Sequence, residues 1–411
     1  MKMTRIALVS CSKTKMVHKA PAAALYRSPL FRKSLLAALS ISKDVYILSA
    51  KYGLLKLNDI VEPYDLTLKR MSPAERNAWS ATTNAQLRER IRAGDVVSAY
   101  CGGDYIGPLR RALAETGCQL DEPLSCLSFG HRLQRLRALN DEPTLDRTFE
   151  QFYRLLKRLW IAQGGGRRIA ECSGNLIWPK LGVYFVTEPE PATNNPHMPR
   201  IVRVGTHAVS LGSRTSLWNR ISTHRGTGQG GGSHRSSIFR SHVGRALINR
   251  EPQISWPNTW GKGQSAPKSV RDGERALEKE VSVAIGDMRL LWLSVPDSAG
   301  PASDRAYVER NAIGLLSRAV TLSPTMAASW LGETSDDWRI AVSGLWNLDH
   351  LFAKPDPAFI NVLEAYVEIT TGQRPAPEHS IAPIDWRSRP ARGEGESPQL
   401  DLFAGPDFGH A

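Results

Sequence analysis

Strand-like and helix-like runs alternate along the first 140 residues of the chain. The strand-like runs are short and apolar, whereas the helix-like runs repeat apolar residues at the spacing of helical turns. The predicted strands are residues 5–10, 45–50, 96–100 and 124–129, and the predicted helices include residues 29–39 and 106–115. This alternation predicts an α/β domain over residues 1–140 with a largely parallel sheet.

Polar residues follow each predicted strand of this domain. Ligands of such sheets bind beyond the carboxyl ends of the strands, so these residues predict a polar cleft suited to an anion and a flat ring. The expected members are Lys13 and Lys15 as phosphate contacts, Tyr52, Tyr64 and Tyr105 as stacking surfaces, and Asp65 and Asp104 as hydrogen-bonding carboxylates. Binding of a nucleobase or modified nucleotide is the favoured interpretation, and base excision is the alternative. Packed tyrosines and solvated lysines are the plainer structural explanation.

A helical pattern spans residues 141–166 and ends in three consecutive glycines. Glycine stops a helix and permits a hinge, so this segment predicts a helical linker between two domains. The second domain is expected to occupy residues 167–375. Residues 376–411 are rich in Pro, Arg and Gly, cannot bury a core, and are predicted to form a disordered tail.

The second domain opens with two further strand-like runs, residues 182–187 and 201–206. The loop between them is too short for a packed helix, so antiparallel pairing is expected. The next apolar positions are spaced four apart as on a helix, and Arg220 and His224 lie on an adjoining stripe. One helix face therefore presents a guanidinium group and an imidazole together.

Composition limits the classes of function. The 411 residues are enough for two domains with full cores, and a net charge of +13 with a pI near 9.7 favours polyanionic partners. Nucleic acid is the commonest such partner, although charge alone also fits a membrane surface. No apolar run has the length of a membrane span and the start lacks a signal-peptide layout, so we expect a cytoplasmic protein. Five irregularly spaced cysteines predict neither disulfides nor structural zinc.

A carboxylate on a later helix is the best candidate metal ligand. Phosphodiester hydrolysis needs an activated water, a cation facing the transition state, and usually a divalent metal. Glu309 lies on a predicted helix, away from the apolar stripe of Ile313 and Leu316. The competing carboxylates, on the preceding predicted helix, are Glu274, Glu278 and Glu280.

The segments Gly182-Val183-Tyr184 and Arg203-Val204-Gly205, followed by Arg220 and His224, resemble the active-site frame of a GIY-YIG nuclease. The resemblance implies an α+β domain in which helices flank a small antiparallel sheet. By the same resemblance Tyr184 activates water and Arg220 stabilises the phosphorane-like state. His224 assists proton transfer or grips phosphate.

The resemblance also assigns the metal and shows one departure. A helical glutamate binds the single metal ion of these nucleases, which implies that Glu309 holds Mg²⁺ or Mn²⁺. The tyrosine of the second motif is replaced by Arg203, which could position a phosphate. The later run Ser343-Gly-Leu-Trp-Asn347 is similar to the closing segment of one GIY-YIG subgroup, which implies a supporting role for Asn347.

A glycine-dense stretch, residues 226–244, follows the Arg220 helix. Glycine permits close backbone approach, and arginine side chains suit phosphate oxygens. His234, Arg235 and Arg240 in this stretch are therefore expected to contact phosphate. A flexible loop with ordinary solvated charges is the alternative.

Two further resemblances concern the ends of the chain. The runs Val9-Ser-Cys-Ser-Lys-Thr-Lys15 and Ile47-Leu-Ser-Ala-Lys-Tyr-Gly-Leu-Leu55 resemble an uncharacterised bacterial domain. That domain is distantly similar to the peroxide-stress DNA-binding family and the uracil-DNA-glycosylase fold. Near the carboxyl terminus, a pentapeptide is similar to the peptide that binds the bacterial sliding clamp, with Gln399, Leu400, Leu402 and Phe403 as docking residues.

Together these features predict a metal-dependent DNA endonuclease whose first domain recognises a modified or damaged base, in DNA repair or phage restriction. One alternative is a bifunctional enzyme that excises a base and then nicks the strand. Another is a non-catalytic DNA-binding adaptor on the clamp, which would be consistent with Arg203 at the tyrosine position. A homodimer on DNA is plausible because one active site cuts one strand.

Overall fold

The structure is a computed structural model that describes residues 4–189, 198–323 and 330–387. The clamp-binding-like peptide at residues 399–403 lies outside these ranges. Within them, no helix is both long and apolar enough to span a membrane.

The first half of the chain contains one five-stranded sheet, a two-stranded ribbon and several helices. The strands are β1 (Arg5–Ser10), β2 (Ala20–Pro21), β3 (Asp44–Ser49), β4 (Gly53–Lys56), β5 (Ile60–Val61), β6 (Val96–Tyr100) and β7 (Gln119–Asp121). The helices are α1 (Ala22–Leu25), α2 (Pro29–Leu39), α3 (Pro73–Arg88), α4 (Gly103–Ile106), α5 (Arg110–Glu115), α6 (Phe129–Leu139) and α7 (Glu142–Ala162).

The five-stranded sheet is mixed rather than wholly parallel. Its strands lie in the order β4, β3, β1, β6, β7. β1 pairs in parallel with β3 and β6, and β6 pairs in parallel with β7, whereas the edge strand β4 runs antiparallel to β3. The strand order therefore reverses beside β1: the chain first adds β3 on one side and later adds β6 on the other.

The predicted strand at residues 124–129 does not form. Phe129 begins α6 instead, and Ser128 caps that helix by accepting a hydrogen bond from the backbone N–H of His131. Leu124 is buried in a turn, which explains its apolar character without a strand. A short apolar run cannot be assigned to strand, turn or helix by periodicity alone. The sheet edge is formed by the earlier strand β7.

The second half contains a four-stranded sheet between helices. The strands are β8 (Arg167–Arg168), β9 (Gly182–Thr187), β10 (Ile201–Gly205) and β11 (Arg289–Ser294). The helices are α8 (Leu217–Arg225), α9 (Ile238–Arg250), α10 (Lys268–Gly286), α11 (Asp304–Leu322), α12 (Trp338–Ser343) and α13 (Phe359–Thr370).

The second sheet is antiparallel throughout, in the order β10, β9, β11, β8. Its central strand β9 is buried along its whole length, because helices cover both faces. Val183 and Phe185 belong to a core shared with α7, α11 and α13. Tyr184 and Val186 belong to the core on the other face, shared with α8, α9 and α10. This two-sided burial explains the continuous apolar run of the strand.

Helix α7, predicted as a linker, is a packed layer of the second half. Phe152, Leu155, Leu156 and Leu159 are buried in the same core as the strands β9 and β11. A helix with such an apolar stripe is stable mainly when another element covers it. The three glycines at 164–166 all have positive φ and turn the chain into β8.

The beginning of the predicted tail also packs against the second half. The buried carboxylate of Asp304 accepts hydrogen bonds from the backbone N–H groups of Ile381, at 2.6 Å, and Ala382, at 3.1 Å. Trp386 packs edge-on against Tyr307, with 5.5 Å between ring centroids. The tail segment up to residue 387 is therefore part of this fold.

The two halves share a buried joint between α2 and α11. Arg318 of α11 is only 4% exposed and donates hydrogen bonds to Ser40 Oγ at 3.0 Å and to the carbonyl oxygen of Asn140 at 3.0 Å. Burial lowers the pKa of its guanidinium to about 10. Val342 and Phe352 from the second half extend the core of the first. The halves therefore form a continuous structure without a free linker.

We predict that Arg318→Ala lowers the free energy of unfolding by about 2–4 kcal/mol, because it leaves buried acceptors on both halves unsatisfied. Urea denaturation followed by tryptophan fluorescence measures this change. Arg111→Ala is the control, since the Arg111 side chain is 92% exposed. An unfolding curve for Arg318→Ala that coincides with that of Arg111→Ala would show that the joint contributes little.

Candidate functional site

The side chain of Tyr184 crosses the neighbouring strand at a glycine. Tyr184 on β9 lies directly opposite Gly205 on β10 in the antiparallel register. A Cβ atom at position 205 would overlap the phenol ring and its hydroxyl group. Glycine at this position is therefore what lets the tyrosine reach the far side of β10.

The phenol oxygen of Tyr184 is held by two side chains. It lies 2.8 Å from His224 Nε2, and it accepts a hydrogen bond from Arg203 Nε at 3.3 Å. The other imidazole nitrogen, His224 Nδ1, lies 2.8 Å from Ser237 Oγ. These contacts form a continuous hydrogen-bonded chain from Ser237 to Arg203, in which Tyr184 itself is fully buried.

The His224 imidazole is neutral at physiological pH. Burial, aided by the positive charges of Arg220, Arg203 and Arg240, places its pKa well below the ordinary value of 6.5. A neutral imidazole has one nitrogen free to accept a proton. Because Nε2 lies 2.8 Å from the phenol oxygen, the neutral ring can accept a hydrogen bond from the phenol, and its lowered pKa makes it a weak proton acceptor in the free protein.

Glu309 and Arg220 complete the cluster. Glu309 on α11 accepts a hydrogen bond from the backbone N–H of Thr206 at 3.2 Å, directly after Gly205. Burial raises the pKa of its carboxyl group to about 7, and the charges of Arg203 and Arg220 oppose that rise. Arg220 precedes His224 by one turn of α8. The Tyr184 phenol, the His224 imidazole, the guanidinium groups of Arg203 and Arg220 and the Glu309 carboxylate thus lie at one end of the sheet.

A comparison with protein families shows which family the second half of the chain belongs to. A family model described as a GIY-YIG domain matches residues 144–373, which is more than half of the sequence. The chain belongs to the GIY-YIG domain family. Residues 6–138 are similar to a family of unknown function, DUF6884. Among curated proteins and solved structures, no significant match was found.

The bounds of the matched family agree with the packing of the second half. The GIY-YIG domain begins at residue 144 and so includes most of α7, in agreement with the packing of that helix. Membership of the family indicates a nuclease that acts on DNA. The likenesses to the uracil-DNA-glycosylase fold and to the clamp-binding peptide stay predictions.

The competing carboxylates of the GIY-YIG domain are engaged elsewhere. Glu274 forms a bidentate ion pair with Arg235, with N–O distances of 2.5 and 2.8 Å. Glu278 pairs with Arg240 at 2.6 Å, and Glu280 is exposed on α10. Glu309 is therefore the carboxylate placed beside Tyr184. The described residues contain no cluster of three or more His, Cys, Asp or Glu side chains that could hold a metal.

The glycine-dense loop wraps around a buried arginine. Arg240 is fully buried and donates to Glu278, to the carbonyl oxygens of His224, Arg225 and Glu278, and to Ser282. A Cβ atom at Gly232 would overlap its guanidinium group. His234 is also buried and stacks on Trp260, with 3.8 Å between ring centroids. The predicted phosphate contacts His234, Arg235 and Arg240 thus bind other parts of the fold.

Asn347 closes the free edge of β10. Its amide accepts from the backbone N–H of Val204 at 3.1 Å and donates to the carbonyl oxygen of Val204 at 2.8 Å. The preceding carbonyl oxygen, of Trp346, accepts a hydrogen bond from Arg203 Nη1 at 2.7 Å. This segment therefore fixes the arginine that contacts the tyrosine hydroxyl group, which is a supporting position.

Sequence reasoning missed His207, Ser237 and Asp349. His207 Nδ1 donates to the carbonyl oxygen of Thr215 at 2.7 Å, and its Nε2 accepts from the backbone N–H of Gly182 at 3.3 Å. Burial lowers the pKa of His207 to about 4. The position of His207, two residues after Gly205, was a usable signal. Nothing local marks Ser237, or Asp349, whose charge helps to raise the pKa of Glu309.

The residues predicted to bind a base lie in the first half, in two groups. Tyr52, Tyr64 and Lys15 are close together: the two rings meet edge to face at 5.6 Å, and Lys15 Nζ lies 4.2 Å from the Tyr64 ring centroid. Tyr105 lies nearby, against Cys11. The remaining predicted residues, Lys13, Asp65 and Asp104, are exposed.

We predict that Gly205→Ala lowers the free energy of unfolding by about 1–3 kcal/mol, because the added methyl group displaces the Tyr184 phenol. Thermal unfolding measures the loss. The matched change is Gly130→Ala, since a Cβ atom at position 130 meets no neighbouring atom within 4 Å. Equal melting temperatures for the two variants would contradict the close approach of the tyrosine to β10.

We also predict that Glu309→Gln stabilises the metal-free protein above neutral pH. A carboxyl pKa of about 7 in the fold, against an ordinary 4.5, means that folding stability is lost as pH rises between those values. In EDTA, the variant should equal the wild type at pH 5 and exceed it by about 1–3 kcal/mol at pH 8.

His207 and His242, whose pKa values are both lowered to about 4, give stability the opposite pH dependence. Their contribution cancels when the free energy of unfolding of the wild type is subtracted from that of the variant. Denaturant unfolding at several pH values supplies the difference. Glu280→Gln, on the exposed face of α10, should show no such trend. A constant difference for Glu309→Gln across the range would refute the raised pKa.

Proposed function

We propose that this chain is a metal-dependent endonuclease that hydrolyses phosphodiester bonds of DNA. The observation that carries the proposal is the hydrogen-bonded contact of Tyr184 with His224 and Arg203, beside Glu309. Family membership supplies the nuclease class. The positive charge of the chain, +13, suits a polyanionic substrate.

The proposed proton route runs along the hydrogen bonds. The negative charge of a bound phosphate would raise the His224 pKa that burial and the arginines lower, and the attacking water then gives a proton to the phenol oxygen of Tyr184 as the phenolic proton moves to His224 Nε2. Arg203 stabilises the negative charge that develops on the phenol oxygen, and Arg220 faces the phosphorus as its fifth oxygen bond forms. The bond to the leaving oxygen then breaks, that oxygen takes a proton from solvent water, and His224 returns its proton to solvent. Tyr184 is 0% exposed in the free protein, so the proposal requires that DNA binding opens a path for water to its hydroxyl group.

The residues present fit a single divalent cation. Mg²⁺ binds through one or two carboxylates and completes its shell with waters and substrate phosphates, which suits one glutamate without a ligand cluster. Glu309 would hold Mg²⁺ or Mn²⁺, and the ion would neutralise charge on the leaving oxygen. The raised pKa of Glu309 implies that the cation competes with a proton below pH of about 7.

The proposal predicts that Tyr184→Phe lowers the rate of DNA cleavage by at least about 100-fold, since general acid–base catalysis typically contributes that much. Plain, abasic and base-modified duplexes are incubated with Mg²⁺ or Mn²⁺, and strand cuts are resolved on denaturing gels. Glu309→Gln should also abolish cleavage. Both variants should retain DNA binding.

Tyr153→Phe is the matched control. Tyr153 is partly buried against the core on the other face of the sheet, where its hydroxyl group accepts a hydrogen bond from the backbone N–H of Ile201 at 3.1 Å. Full activity in both tyrosine variants would remove Tyr184 from the mechanism. Loss of activity in both would indicate general damage to the fold, and a melting curve decides between these explanations.

Two features favour an enzyme over a non-catalytic adaptor. Arg203 stands where the second tyrosine of the family motif is expected, yet it donates directly to the Tyr184 hydroxyl group. His224 provides that hydroxyl group with its second partner. The replacement therefore leaves a connected proton route in place.

We propose further that the first half recognises a modified or damaged base in the same DNA. Recognition is favoured over excision, because the carboxylates considered for excision are exposed and paired with cations: Asp65 with Arg70 at 3.8 Å and Asp104 with Lys69 at 3.6 Å. Clamp docking through residues 399–403, a homodimer on DNA and a cytoplasmic location remain part of the proposal. Each rests on the sequence.

A further inference from the structure

A second cluster of polar side chains lies at the carboxyl edge of the first sheet. The strand order there reverses between β1 and β6, because β3 pairs with β1 on one side and β6 pairs with it on the other. At such a reversal the segments after the two strands diverge and leave a crevice, where ligands of open α/β sheets bind.

The side chains of Cys11 and Tyr105 are in contact between the two strand ends. Cys11 follows β1 directly, and Tyr105 lies in α4, which follows β6. Their Sγ and Oη atoms are 3.1 Å apart. Cys11 is half-buried, whereas Cys101 and Cys172 are fully buried. Cys11 is thus the more exposed of these cysteines, at the point where the two strand ends separate.

A rigid aromatic wall stands beside the thiol. The hydroxyl group of Tyr64 lies 2.7 Å from Ser49 Oγ and 2.9 Å from the hydroxyl group of Tyr26. Ser49 and Tyr26 are both 0% exposed, so buried polar groups fix the Tyr64 ring. The ring of Tyr52 meets it nearly perpendicularly, at 87°. Fixed aromatic faces of this kind suit stacking of a flat ring.

Two ammonium groups lie over these rings. Lys15 Nζ is 4.2 Å from the centroid of Tyr64, and Lys51 Nζ is 5.0 Å from the centroid of Tyr52. Within the described residues, neither group is within 4 Å of a carboxylate oxygen. Burial also lowers the pKa of Lys15. An anion entering the crevice would therefore meet two cations that have no carboxylate oxygen within 4 Å, with Asp65 near enough for its charge to oppose the fall in the Lys15 pKa.

The cluster combines cations, phenols, a hydroxyl group and a thiol; Asp104 pairs with Lys69 outside it, and Asp65 pairs with Arg70 while its charge also reaches Lys15. We propose that this crevice, formed by Cys11, Lys15, Lys51, Tyr64 and Tyr105, binds one nucleotide, whose phosphate draws the two lysine ammonium groups off the tyrosine rings and whose base then covers a ring face beside Cys11. The inference deepens the proposed recognition of DNA by naming the site and the ligand class. The nucleotide is either free or part of a DNA strand.

The test uses Cys11 as a reporter in the full-length protein. Alkylation by iodoacetamide is followed by mass spectrometry in EDTA, with deoxynucleoside monophosphates, oligonucleotides or inorganic phosphate as probes. We expect a nucleotide, free or in DNA, to slow alkylation of Cys11 at least fivefold, and phosphate alone to have no effect. Protection by free monophosphates or by DNA alone identifies the source of the ligand. Cys118 is the internal reference, because it precedes β7 at the opposite edge of the sheet.

A pair of lysine variants tests the cation role. Lys15→Ala should weaken nucleotide binding at least tenfold by calorimetry. Lys43→Ala should leave it unchanged, because Lys43 is exposed before β3, at the opposite edge of the sheet.

Two results would overturn the inference: no nucleotide in any form protects Cys11, or both lysine variants bind equally well. Because the binding measurements need no metal and no cleavage, they stand apart from the test of the nuclease site. If nucleotide still protects Cys11 from alkylation in Tyr184→Phe and that variant cleaves DNA at the full rate, the proposed mechanism is contradicted. The nucleotide site in the first half is then still supported.

Discussion

The hydroxyl group of Tyr184 has to be hydrogen-bonded inside a sheet that helices cover on both faces. This requirement constrains the neighbouring strand β10 and helix α8. A buried hydroxyl group without a partner costs a few kcal/mol, so its neighbours are constrained. Gly205 leaves room for the ring to pass, and Arg203 and His224 supply the partners. The groups that stabilise the buried phenol are thus the groups that chemistry at this site requires.

The buried guanidinium group of Arg240 stabilises the end of helix α8, which carries His224. Arg240 is fully buried, and such a guanidinium group is tolerated only when its donors are engaged. Two of its hydrogen bonds go to carbonyl oxygens at the end of α8, including that of His224 itself. The glycine-dense loop supplies the space for this contact. The orientation of the imidazole therefore depends on an ion pair between α9 and α10, outside the cluster that it supports.

Local patterns located strands β1, β3, β6, β9 and β10, wrongly added one at residues 124–129, missed β11, and predicted the buried charges poorly. Periodicity located β1, β6 and β9, and it placed Arg220 and His224 on one helix face, because these features depend on neighbouring residues. It could not show that Arg240 meets a carboxylate 38 residues away, so a structural arginine was taken for a phosphate contact. The role of α7 was missed for the same reason, since the partners of its apolar stripe lie far along the chain.

The joint at Arg318 sets the geometry between the two halves. Because α2 and α11 share a buried core and hydrogen bonds, no hinge separates the crevice of the first half from the cluster around Tyr184. The joint would therefore keep the distance between the crevice and the cluster around Tyr184 constant. If, as proposed, a nucleotide of the strand occupies the crevice and the cluster around Tyr184 cuts the strand, the cut would fall at a constant spacing from that nucleotide, and any adjustment of the spacing would have to come from bending of the DNA.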